Sequence, residues 1–114
     1  MDKKILVVDD AMFMRSIIRK ILKEDGYTQV WEAQDGEKAM ELFREVSPDL
    51  VLLDITMPGR SGLEVLEEML SLVPNIRVIM CSAVGQEMMI QKALTIGASD
   101  FIVKPFKADE FSRI

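Results

Sequence analysis

Four short apolar runs punctuate the chain, and each stops at a polar or charged side chain. Ile5-Leu6-Val7-Val8 ends in Asp9-Asp10, Leu50-Val51-Leu52-Leu53 in Asp54, Val78-Ile79-Met80-Cys81 in Ser82, and Phe101-Ile102-Val103 in Lys104. Runs this short, without polar alternation, predict strands buried on both faces, as in a parallel sheet covered by helices. Val30-Trp31-Glu32-Ala33 is more polar and predicts an edge strand. Between the runs the apolar period becomes helical. Met14, Ile17, Ile18, Ile21 and Leu22 form one stripe, closed by Gly26. Ala39, Met40, Phe43 and Val46 form a second, stopped by Ser47-Pro48. Leu66, Met69, Leu70 and Val73 form a third, stopped by Pro74, and Met89, Ile90, Ala93 and Leu94 a fourth, stopped by Gly97.

Five β units alternating with four full helices predict an α/β, doubly wound, five-stranded parallel sheet. Right-handed crossovers and strand order 2-1-3-4-5 put the polar second strand at an edge. The segment from Lys107 to Ile114 allows a fifth helix of only about two turns. This closing helix is therefore short or truncated, and the chain is expected to be cut or to lack a tail.

Size and charge narrow the function. The chain has 114 residues, which suits one domain spanning residues 1–114. Nineteen acidic against fourteen basic residues give a net charge of −5, the reverse of what a nucleic-acid binder carries, so no direct nucleic-acid partner is expected. No apolar stretch is long enough to span a bilayer, and the N-terminus does not read as a signal peptide. Cys81 is the single cysteine, which together with these features predicts a reducing, cytoplasmic setting. The absence of histidine excludes a His-based triad, a His-ligated metal and a phosphohistidine carrier within the chain.

In an open parallel sheet, ligands bind beyond the carboxyl ends of the strands, at the topological switch point. The predicted topology brings Asp9, Asp10, Asp54, Ser82 and Lys104 to that edge, although they lie far apart in sequence. Three clustered carboxylates repel one another, so they shift their pKa values or attract a cation. A donor set of hard oxygens favours Mg²⁺ or Mn²⁺ over zinc. A facing lysine suits phosphoryl oxygens, the Ser82 hydroxyl could donate to them, and a carboxylate attacking phosphorus forms an acyl phosphate. Each residue also has an ordinary reading. Asp10 could cap the helix beginning near Met12, Asp54 could form a turn, Ser82 could cap a helix starting near Gly85, and Lys104 could be a solvated surface lysine. Cys81 reads as a buried strand residue.

At these residues the chain resembles the receiver domains of two-component response regulators, over essentially its whole length. Val7-Val8-Asp9-Asp10, Leu53-Asp54-Ile55-Thr56-Met57-Pro58, Cys81-Ser82-Ala83 and Val103-Lys104-Pro105-Phe106 carry the resemblance. It implies a flavodoxin-like fold, Asp54 as phosphoacceptor, and Mg²⁺ held by Asp10, Asp9, Asp54 and the backbone carbonyl of Thr56. It further implies Ser82 as switch hydroxyl, Lys104 as phosphate-binding lysine, Phe101 as switch aromatic and a cis Lys104-Pro105 bond. Thr56 and Val84 would flank the path of the hydrolytic water. The implied partners are a sensor histidine kinase as phosphodonor, an output protein such as a flagellar motor switch component, and a phosphatase. Cys81-Ser82-Ala83-Val84-Gly85-Gln86 and Asp100-Phe101-Ile102-Val103-Lys104-Pro105-Phe106 are closest to the family's single-domain chemotaxis members. The family's switch aromatic is often tyrosine, and phenylalanine cannot make the tyrosine's hydrogen bond to a partner.

Other phosphoryl and flavin chemistries fit less well. A haloacid-dehalogenase-type phosphatase places its nucleophile after the first strand with a second acid two residues on, whereas Thr56 lies two residues after Asp54. A flavodoxin-like electron carrier would need Ser, Thr or Gly in the first βα loop, where Asp9-Asp10 would repel the flavin phosphate. A receiver excised from a longer regulator with a DNA-binding or enzymatic output is the main alternative. In either receiver reading the chain is expected to act on itself, gaining and losing a phosphoryl group, rather than on an external metabolite.

Overall fold

The computed structural model describes residues 3–104. Five parallel strands form one sheet: β1 (Lys4–Val8), β2 (Gln29–Ala33), β3 (Leu50–Asp54), β4 (Arg77–Ser82) and β5 (Asp100–Val103), in the order β2-β1-β3-β4-β5. They alternate with α1 (Met12–Glu24), α2 (Gly36–Val46), α3 (Gly62–Leu72) and α4 (Glu87–Ile96). This is the doubly wound architecture expected from the apolar pattern, with the polar strand β2 at one edge. The expected fifth helix and the Lys104-Pro105 bond involve positions outside the described residues. No helix among the described residues is long and apolar enough to cross a membrane.

The strand pleat divides the core in two, because successive side chains point to opposite faces. Leu6, Val8, Val51, Leu53, Val78 and Met80 pack with Ala39, Met40 and Phe43 of α2, Val65, Leu66 and Met69 of α3, and Ile90 and Ala93 of α4. Ile5, Val7, Leu52, Ile79, Cys81 and Ile102 face the other way, onto Ile18 and Leu22 of α1. The central strands β1, β3 and β4 are buried on both faces, which is why their sequences read as unbroken apolar runs. Some predicted stripe positions are more open. Ile17 and Leu94 are partly exposed, and Val73 follows α3 as its C-cap. Leu94 borders an open groove with Phe101 and Val103, because α4 fully buries only Ile90 and Ala93.

Local signals set the helix ends. Asp35 caps α2 by accepting from the Lys38 N–H, and Ser61 with Glu64 forms a reciprocal capping box on α3. Gly26 follows α1 with φ +95°, a left-handed conformation that glycine adopts without a Cβ penalty. Gly62 serves a different need. A Cβ there would run into the Asp54 carbonyl oxygen and the Ile55 backbone. Only a glycine lets α3 start directly against the end of β3, and the Gly62 N–H donates to the Ile55 carbonyl at 2.8 Å.

Candidate functional site

Strand register gathers the polar strand ends. Val8 lies beside Leu53 and Asp54 beside Cys81, so Asp9, Asp54 and Ser82 emerge next to one another along the carboxyl edge. Ser82 pairs with Val103, which brings Lys104 to the same edge from β5. Oxygen atoms of Asp9, Asp10 and Asp54 lie within 4.8 Å of one another. Asp9 and Asp54 are buried, at 1% and 5% exposure, whereas Asp10 is exposed and faces solvent at the mouth of the cluster.

The Lys104 ammonium reaches across the site. Its Nζ donates to Asp9 Oδ2 at 2.8 Å and lies 3.4 Å from Asp54 Oδ1. Burial alone would lower the Lys104 pKa. The Asp9 hydrogen bond and the charges of both aspartates outweigh it and hold the ammonium above its ordinary range. Asp54 moves up from 3.8 to about 6. Burial is the main cause and the neighbouring Asp9 charge adds to it, while Lys104 and a hydrogen bond from the Thr56 backbone N–H pull the other way. A carboxyl held near pH 6 beside two further acids gains from a cation. The donors are all hard oxygens, so the residues present fit Mg²⁺.

The ordinary readings of Asp10 and Ser82 do not hold. Ala11, not Asp10, stands at the N-cap of α1 without a side-chain cap, and the Asp9 Oδ1 accepts from the Ala11 N–H at 2.9 Å. Gln86, not Ser82, precedes α4 at its N-cap. The Ser82 hydroxyl is fully buried and has no hydrogen-bond partner among the described residues, an arrangement that costs about 1–3 kcal/mol. Lys104 is paired rather than solvated. Phe101 stands apart from the carboxylates, half-buried against the core and lining the groove beside α4. Cys81 is buried, which pushes its thiol up to about 12 and removes it from thiolate chemistry.

Two supporting residues escaped the sequence reading. Arg15 donates to the Asp9 backbone carbonyl at 2.6 Å and pairs with Glu32 of β2 at 3.1 Å, fixing the loop that carries both acids. Gln86 accepts from the Ala83 N–H at 2.7 Å and donates to the Thr56 hydroxyl at 2.6 Å, tying the β4–α4 loop to the β3–α3 loop. Their local bonds carry no distinctive signal, and the fold alone brings Arg15 to Glu32 and Gln86 to Thr56.

Comparison with known proteins agrees with this geometry. A family model described as the response regulator receiver domain matches residues 5–114. The chemotaxis protein CheY of Listeria monocytogenes is 52% identical over 106 residues, covering 93% of this chain and 89% of that one. Sporulation initiation phosphotransferase F of Bacillus subtilis is 40% identical over 110 residues, covering 96% and 88%. Among solved structures, NtrX from Brucella abortus superposes with a TM-score of 0.93 at 36% identity, covering 99% of this chain but 25% of that one.

Proposed function

This chain belongs to the response regulator receiver domains, and from that premise we propose that it takes a phosphoryl group from a sensor histidine kinase onto Asp54 in a Mg²⁺-dependent reaction. The observation that carries the reading is the pairing of the Lys104 ammonium with Asp9 and Asp54 beneath a three-carboxylate cluster. A carboxylate oxygen of Asp54 attacks phosphorus, an O–P bond forms, and the bond from phosphorus to the donor's imidazole nitrogen breaks, with the electron pair leaving on the imidazole. Lys104 is close enough to shift its hydrogen bonds from Asp9 to the phosphoryl oxygens. Asp9, Asp10, Asp54 and the Thr56 carbonyl would hold Mg²⁺, which supplies positive charge to those oxygens.

The idle hydroxyl of Ser82 supports a switching role. A phosphoryl oxygen on Asp54 would give this buried donor its missing acceptor and draw the β4–α4 loop inward. Phe101 then turns into the space vacated near Ser82, and the surface around α4 and β5 changes by population shift. In this reading the domain catalyses only its own phosphorylation and dephosphorylation, in the cytoplasm.

Likeness to CheY supports a role in chemotaxis signalling, with a flagellar motor switch component as output partner and a phosphatase resetting the signal. The match to a quarter of NtrX keeps a second reading in view, a receiver belonging to a longer regulator with a DNA-binding or enzymatic output. Intact mass after incubation with acetyl phosphate tests the phosphoacceptor. The expected result is one phosphoryl adduct on the wild type with Mg²⁺, and none without Mg²⁺ or on Asp54→Ala. An adduct that survives Asp54→Ala overturns the assignment.

A further inference from the structure

We propose that Gln86 is a positioning residue that sets how long the phosphoryl group stays on Asp54. The inference rests on Asp54 being the phosphoacceptor. The Gln86 carboxamide is held at both ends. Its Oε1 accepts from the Ala83 N–H, within its own loop, and its Nε2 donates to the Thr56 hydroxyl across the cleft. Thr56 lies two residues beyond Asp54, on the loop that β3 leads into. Gln86 therefore ties the β4–α4 loop to the loop that follows the acceptor.

This crosslink lies on the side of Asp54 between the loops that follow β3 and β4. Residues 83–85 and Thr56 are exposed on that side, and Val84 is 80% exposed, so packing does little to hold the loop there. The carboxamide crosslinks the two loops instead. Hydrolysis of the acyl phosphate needs a water oxygen to reach phosphorus as the O–P bond to Asp54 breaks. The carboxylate returns with the bonding electrons, and the water's protons pass to phosphate and bulk solvent. With the clamp shut, the two loops keep their spacing beside the acceptor and restrict the approach of that water. Without it, Thr56 and the Ala83–Gly85 turn swing freely and admit it.

A double-mutant cycle on phosphoryl loss tests the clamp. Gln86→Ala and Thr56→Val should each speed loss about 2- to 10-fold, the range expected for one hydrogen bond of ordinary net strength. The double variant should lose phosphoryl no faster than the faster single variant. Unchanged rates in the single variants, or rates that multiply in the double variant, overturn the proposal. Hydrogen exchange at the Ala83 amide gives a readout that needs no phosphoryl group. It should quicken in Gln86→Ala and, to a smaller extent, in Thr56→Val, and an unchanged rate in either variant also overturns the clamp. A wild type that takes up no phosphoryl group fails the phosphoacceptor reading instead, and the clamp then stands or falls on the Ala83 amide.

Discussion

The two sides of the strand-end cleft differ in how completely their polar groups are satisfied. On the β1–β5 side, Lys104 pairs with Asp9 and approaches Asp54, while Asp9 also accepts from the Ala11 N–H. On the β4 side, the Ser82 hydroxyl is buried without a partner among the described residues, and Gln86 ties the loop beyond it to Thr56. The first side resembles a settled ion-pair network, and the second an unfilled half-site. A buried hydroxyl without an acceptor raises the energy of the resting state, so a group that supplies one favours a different loop position. On the proposed reading, the charged side would recognise the incoming phosphoryl group and the unsatisfied side would report its arrival.

Removing the charged side's cation should have the largest effect. Lys104→Met is expected to slow phosphorylation by acetyl phosphate about 100-fold or more, as loss of one preorganised donor does elsewhere. A rate within a few-fold of wild type would mean that the acids alone do the work. Stability of the metal-free protein comes next. The folded Asp54 carboxyl titrates near pH 6 rather than 3.8, so the folded state binds this proton more tightly than the unfolded chain. The stability from that proton is fully present below about pH 4 and is lost as pH rises through about 6. In EDTA at pH 7, Asp54→Asn should therefore be more stable than wild type by about 2 kcal/mol. The difference should shrink steadily toward pH 4. Urea denaturation at several pH values reads it directly, and a gap that does not narrow in acid would mean that burial of the Asp54 charge is not its source.

The smallest effect belongs to the unsatisfied side. Ser82→Ala removes a buried hydroxyl that lacks an acceptor among the described residues, so the unphosphorylated protein should be stabilised by about 1 kcal/mol. The same substitution should abolish most of the phosphorylation-dependent NMR shifts around Phe101 and α4. If those shifts persist, Ser82 does not link the acceptor to the outer surface.

Much of the fold was legible because the central strands are buried on both faces and the helices on one. Unbroken apolar runs and helical stripes are the direct trace of that burial, and the polar β2 marked its own place at the edge. Leu94 and Val73 fell outside the pattern for the same reason, since periodicity identifies a face without saying how far a neighbouring layer covers it. Gly62 was missed because its role is a close approach between β3 and α3, which has no signature in composition.

By itself, the order of residues determined which side chains end the strands, and the doubly wound topology then requires Asp9, Asp10, Asp54, Ser82 and Lys104 to share one edge. Tertiary structure alone decided how they differ there. Asp9 is buried and paired while Asp10 faces solvent, Lys104 spans two strands to reach its carboxylates, and the Ser82 hydroxyl has no acceptor among the described residues. Arg15 and Gln86 joined the site only through the fold, because hydrogen-bond partners depend on distance in space. Desolvation likewise depends on what packs around a carboxyl, so the rise of Asp54 to about 6 belongs to the folded cleft and to no local stretch of the chain.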